Sequence, residues 1–202
     1  DSRVLVLGDF TLLTGPFSST SDNNQLISNI AGFLTSGTRQ LTLSDFPHFF
    51  SQEVDILISR QSLLERATSF RELLVEKKRS VGLEDRENLA KDTVFMALFS
   101  DVERVSRYLR EEGVEVGQLI RTPFAPDLDR NRTGLIYLYR GGTRNVLLLL
   151  AENEGDMAAL FQMLKDGRFR TGLVNERVGL YKLFRGGEEQ PPLGLEKSAL
   201  ER

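Results

Sequence analysis

The chain contains no cysteine, which excludes a disulfide framework, a thiol nucleophile and thiolate metal sites, and leaves the redox compartment open. It has one histidine, His48, so any Ser-His-Asp arrangement would have to use that imidazole. Long apolar runs are missing as well. None is longer than residues 146–151, far short of the roughly 20 residues a membrane helix needs, and no stretch has the form of a signal peptide. A net charge of -3 supplies no basic field for nucleic acid or an anionic membrane surface. No phosphate-binding loop, dinucleotide fingerprint or His-Glu metal motif occurs.

What is present is enough apolar material for a real core: 202 residues, 40% hydrophobic, which suits one large domain or two small ones. The chain opens at Asp1, almost directly on an apolar run and without an initiator Met. That start fits a processed or excised fragment, from which an export signal or anchor could have been removed. An extracytoplasmic or membrane-tethered location is therefore favoured over a cytoplasmic one, and membrane association is expected only through segments missing from this chain.

Residues 3–7 (RVLVL) have the composition of a strand buried in a parallel sheet. They break at Gly8-Asp9-Phe10 into a Gly/Ser/Thr-rich loop, and Asp22-Asn23-Asn24 opens an amphipathic helix over 23–34. Residues 41–43 read as a short strand, DFPHFF (45–50) as an aromatic turn, and VDILI (54–58) as another buried strand. The spacing of Leu63, Leu64, Ala67, Phe70, Leu73 and Leu74 predicts one long amphipathic helix over 61–79. Its apolar face is too large to be left in water, so Leu63, Phe70, Leu73 and Leu74 are interface candidates, expected to dock on the sheet of 93–185 or to mediate self-association.

The polar stretch 80–92 is the expected boundary between two units, 1–80 and 93–185. Beyond it the pattern predicts a strand at 92–99, a helix at 100–112, a strand at 114–122, and strands at 134–139 and 144–151 joined at Gly141-Gly142. A helix at 154–165 and a strand at 177–184 follow. The order β-α-β-β-β-α-β suggests an α+β, ferredoxin-like second unit. Residues 186–202, rich in Gly, Pro and Glu, read as a flexible tail.

Residues 1–60 resemble the class I glutamine-amidotransferase-like domains that have lost their enzyme machinery. Such domains occur in auxiliary proteins of ABC-type transport and gliding-motility systems and in an intraflagellar-transport subunit. The matching residues are RVLVL, Gly8-Asp9, the Ser-rich loop 17–21, Asp22-Asn23, and the helix end Asn29-Ile30-Ala31-Gly32-Phe33-Leu34, an Asn followed by an aromatic-Leu pair. The resemblance implies an α/β fold, a partial flavodoxin- or amidotransferase-like parallel sheet, and a non-enzymatic role in a transport- or envelope-associated assembly with a protein partner.

Ligands sit at the carboxyl ends of strands in open α/β sheets, which nominates Asp9, Thr11, Ser18, Ser19, Asp22 and Asn23. The companions that chemistry would need are absent. Phosphotransfer enzymes of this shape want a second Asp where Thr11 stands, and Gly-Asp-Ser esterases a Ser where Phe10 stands. A metal-dependent adhesion site wants a Ser where Leu13 stands. Asp9 is accordingly expected to hold backbone amides of the following loop, and Asp22 to cap the helix. His48, inside Phe46-Pro47-His48-Phe49-Phe50, reads as a packing residue. Asp127, Asp129 and Asn131 have calcium-loop spacing, but Arg132 and Leu138 occupy the places of the loop's Gly and bidentate Glu. The function expected is a non-enzymatic binding domain with no cofactor, no metal, no catalytic residue and no nucleic-acid partner. The alternative is a small-molecule sensor or hydrolase using Asp9 and loop 10–21.

Overall fold

The computed structural model describes residues 5–35 and 40–183. The chain divides into two compact units, Asp1–Leu41 and Thr42–Arg202. The fold is α/β.

Strand β3 (Asp92–Leu98, DTVFMAL) is buried at every position, as a strand covered on both faces must be. Parallel to it lie β1 (Val54–Ile58) on one side and β8 (Arg144–Ala151) on the other, and β1 carries β2 (Val81–Leu83) as a parallel edge. Beyond β8, strand β7 (Thr133–Gly141) and then β9 (Val178–Lys182) pair antiparallel. The order is β2-β1-β3-β8-β7-β9, one six-stranded sheet. A smaller antiparallel sheet is built from β4 (Glu115–Val116), β5 (Leu119–Thr122) and β6 (Ala125–Asp129).

Helix α2 (Leu64–Glu76) joins β1 to β2, and α4 (Glu154–Lys165) carries the chain from β8 over β7 to β9. Both lie on one face of the large sheet, their Phe70 and Phe161 rings 5.8 Å apart. Helix α4 starts on Asn153, whose side chain accepts the Asp156 amide at 3.0 Å. Its Leu160 presses so closely on Gly134 that a Cβ there would stand 2.7 Å from Cδ1 of that leucine. The opposite face packs Leu57, Phe95, Leu135, Tyr137 and Leu148 against Val105, Tyr108 and Leu109 of the α3 region (α3, Ser106–Leu109) and Ile120 of β5.

The aromatic turn seals one end of this core. Phe46 sets its ring 6.0 Å from those of Phe49 and Phe169 and 5.9 Å from that of Phe70. Buried Asp92 ties the turn to the sheet. It accepts the Ser51 and Gln52 amides at 2.7 and 3.0 Å and the Asn145 amide at 2.7 Å.

Several expectations are corrected. The stretch 80–92 separates no units, because β2 before it and β3 after it both hydrogen-bond to β1 in one sheet. Residues 93–185 therefore form no ferredoxin-like sheet of their own. Residues 5–7 are no strand, since nothing among the described residues of their unit offers a strand edge to pair with. Residues 41–43 give way to a 3-10 turn, Leu43–Asp45, because Asp45 reaches back to the Thr42 amide at 2.8 Å.

The 61–79 helix is a 3-10 turn followed by α2, and the chain leaves α2 through Lys78 at φ 61°. The 100–112 helix breaks into 3-10 turns around four-residue α3, with Asp101 at a non-helical φ of -110°. The 114–122 strand folds back at Gly117-Gln118 into β4 and β5. The tail 186–202 lies outside the described residues.

Candidate functional site at the carboxyl edge of the sheet

Adjacent parallel strands whose connections depart to opposite faces leave a crevice at their carboxyl ends, and ligands of open α/β proteins bind there. Strands β1 and β3 are such a pair. The chain leaves β1 into α2 on one face and leaves β3 into the α3 segment on the other. Each strand delivers a serine and a charged residue to this edge: Ser59-Arg60 after β1, and Ser100-Asp101 after β3 beyond the buried anchor Phe99.

These four residues are bonded to one another. Arg60 grips Asp101 with both nitrogens, Nε to Oδ2 at 2.7 Å and Nη2 to Oδ1 at 3.0 Å, and Nη2 also donates to Ser100 Oγ at 2.9 Å. The Ser59 hydroxyl donates to Asp101 Oδ2 at 2.8 Å. Arg104 closes the floor by donating to the Ser59 carbonyl at 2.8 Å. The Arg60 hydrogen bond outweighs partial desolvation and, with the bond from Ser59, holds the Asp101 carboxyl below the usual carboxylate range. Asp101 in turn raises the guanidinium of Arg60.

A carboxylate so stabilised, with both oxygens on one guanidinium, is a weak proton acceptor toward Ser59. His48 belongs to the aromatic turn, where its amide donates to Asp45 O at 2.7 Å and its side chain is exposed.

The residues nominated from the sequence belong to the other unit. Asp9 accepts the Thr11 amide at 2.9 Å, and that bond lowers its carboxyl. Ser19 donates to Pro16 O at 3.0 Å, and the Ser18 amide to Thr14 O at 2.9 Å. The Asn23 side chain donates to Phe17 O at 2.8 Å, while Asp22 accepts the Leu26 amide on its backbone carbonyl at 2.9 Å, below helix α1 (Asn23–Thr35). These groups turn on the loop's own backbone and bring no cluster of side chains together.

Leu63, Phe70, Leu73 and Leu74 do form an interface, but an internal one. All four are buried in the Thr42–Arg202 unit, where α2 meets β1, β2 and α4. Asp127 pairs with Arg121 at 3.2 Å, and Asp129 accepts the Asn131 amide at 2.8 Å. Among the described residues no group of three acidic or imidazole side chains is placed to hold a metal ion. No helix among them is long and apolar enough to cross a membrane.

Sequence reasoning passed over Ser59, Arg60 and Asp101 as a site. The available signal was repetition: a buried apolar run followed at once by Ser and a charged residue occurs twice, in VDILI-SR and in MALF-SD.

No family model matches this chain, and no curated protein matches it. Among solved structures it is similar to a GH138 enzyme targeting pectin rhamnogalacturonan II, at 13% identity and a TM-score of 0.32, over 63% of this chain and 15% of that one.

Proposed function

We propose that this chain is a non-enzymatic α/β binding module that acts through protein contacts, as part of a transport- or envelope-associated assembly. One observation carries the protein-contact reading. No residue of 5–34 is buried, and large apolar side chains crowd the surface there, with Val6 87%, Phe10 69% and Phe17 54% exposed. Apolar surface of that density marks an interaction site. Between Val4 and Thr38 the only charged residues are Asp9 and Asp22, which suits a neutral protein surface better than an anionic bilayer. The closed Ser59–Arg60–Asp101 network supports the non-enzymatic half of the reading, and the sequence resemblance of residues 1–60 to amidotransferase-like domains supports the kind of assembly.

Light scattering on the purified chain, with a screen of ester, phosphate and glutamine substrates, tests this. Mass is expected to rise with protein concentration, to stop rising in the Phe17→Asp, Leu26→Asp variant, and no substrate to turn over. Turnover abolished by Asp101→Asn or Asp9→Asn, or association untouched by the double substitution, overturns the proposal.

A further inference from the structure

The strap that joins β2 to β3, residues 84–91, is held at its ends by the Glu84 amide on Ile56 O at 3.1 Å and by Lys91 on Asp55 at 3.2 Å, and is exposed over most of its length. Only Glu87 and Lys91 turn inward, and Leu89, the one large apolar side chain in it, is 67% exposed. Glu87 ends in a receptor made by three other elements. Arg144, the first residue of β8, donates from Nη2 to Glu87 Oε1 at 2.8 Å, and its side chain is only 10% exposed. The Tyr108 hydroxyl donates to the same oxygen, and Arg107 pairs with Oε2. Arg144 Nη2 also reaches the Tyr108 oxygen at 3.0 Å, and its Nη1 reaches Thr93 Oγ1 of β3 at 3.4 Å.

The two sides of this contact differ in how firmly they are held. Tyr108 is buried, packed 4.9 Å ring to ring on Tyr139, and Arg144 and Thr93 belong to the central strands. The carboxylate comes from a segment with no buried apolar anchor, the kind of element that opens at low cost. Two guanidiniums and a phenol converging on both oxygens are the donor set that proteins use to recognise carboxylates. Burial pushes the Glu87 carboxyl up, but the bonds from Tyr108 and Arg144 more than offset it, leaving it below the usual range.

We propose that Arg107, Tyr108 and Arg144, the last steadied by Thr93, form a binding site for a small monocarboxylate, with Glu87 as its tethered internal occupant. Withdrawing Glu87 leaves Arg107 and Arg144 with no other carboxylate in ion-pair reach among the described residues, and a free carboxylate of matching size fills the place. This site lies on the face of the sheet that carries α3, and it makes no use of the crevice between β1 and β3.

Chemical rescue tests it. Glu87→Ala removes the carboxylate and leaves room for acetate. In chloride buffer its melting midpoint is expected below that of the wild type. Replacing chloride with acetate at about 100 mM should raise that midpoint by about 2–4 °C through mass action. Wild type, its site filled, should not respond, and Glu87→Ala combined with Arg144→Met should lose the rescue. If Glu87→Ala does not fold in chloride, refolding is the readout: recovery of folded protein in acetate but not chloride supports the site. An acetate effect equal to that of chloride, an equal effect in wild type or in the double variant, or no recovery in either salt overturns it.

Discussion

Ser59 and Asp101, 42 positions apart in the chain, meet through a 2.8 Å hydrogen bond at the point where two parallel strands part company. The bond is a consequence of topology. Strands β1 and β3 are neighbours in register, Ile58 beside Met96, so the residues just beyond each strand are brought together whatever the intervening helix does.

Asp101→Asn is expected to lower stability by about 1 kcal/mol, a modest figure because Arg60 stands half in solvent. The sign of the pH effect follows from the lowered carboxyl. The contribution is fully present above the ordinary carboxylate range and is lost as pH falls through the depressed value. Urea melts of wild type and variant should run a constant distance apart at neutral pH and converge below about pH 4. Parallel curves down to acid would show that Asp101 is not held low.

Phe70→Ala is expected to cost about 3–5 kcal/mol, as deletion of a fully buried ring leaves a cavity. Phe70 is 0% exposed, between Phe46 at 5.9 Å and Phe161 at 5.8 Å. Guanidinium denaturation checks it, and a loss near zero would mean that α2 does not pack on the sheet as described.

Gly134→Ala should cost about 1–3 kcal/mol by overpacking, since the added methyl would lie 2.7 Å from Leu160. Leu160→Ala opens the same space. The double variant is therefore expected to be more stable than the sum of the two losses allows, and additive losses in thermal melts would disprove the contact.

Among the described residues Tyr137 keeps its hydroxyl in the core without a hydrogen-bond partner, and burial raises its pKa. Tyr137→Phe removes an unsatisfied polar atom, so stability should hold or rise by about 1 kcal/mol. A clear loss would mean that the hydroxyl has a partner after all.

The elements legible in the sequence were those whose own burial or turn chemistry sets the pattern. Helix 154–165, strand 54–58 and the hairpin strands around Gly141-Gly142 lie where periodicity and turn chemistry put them. What misled was local reasoning about segments whose conformation is set from a distance. Asp101 bends the 100–112 segment because its carboxylate is engaged by Ser59 and Arg60 from another strand. The stretch 80–92 is polar as a linker is polar, yet it is a connection within one sheet. The candidate site was hidden for the same reason. Its members carry no motif spacing, and only the pairing of β1 with β3 makes them neighbours.

That pairing pattern also bears on how the chain folds. The centre of the sheet is the contact of β3 with β8, in which Thr93 stands beside Val146, so everything between them must be looped out before the middle of the molecule exists. Loop closure of that length is slow, whereas β7 and β8 are joined by a tight turn and can find each other at once. The hairpin is therefore expected to form first, with β3 docking on β8 afterwards.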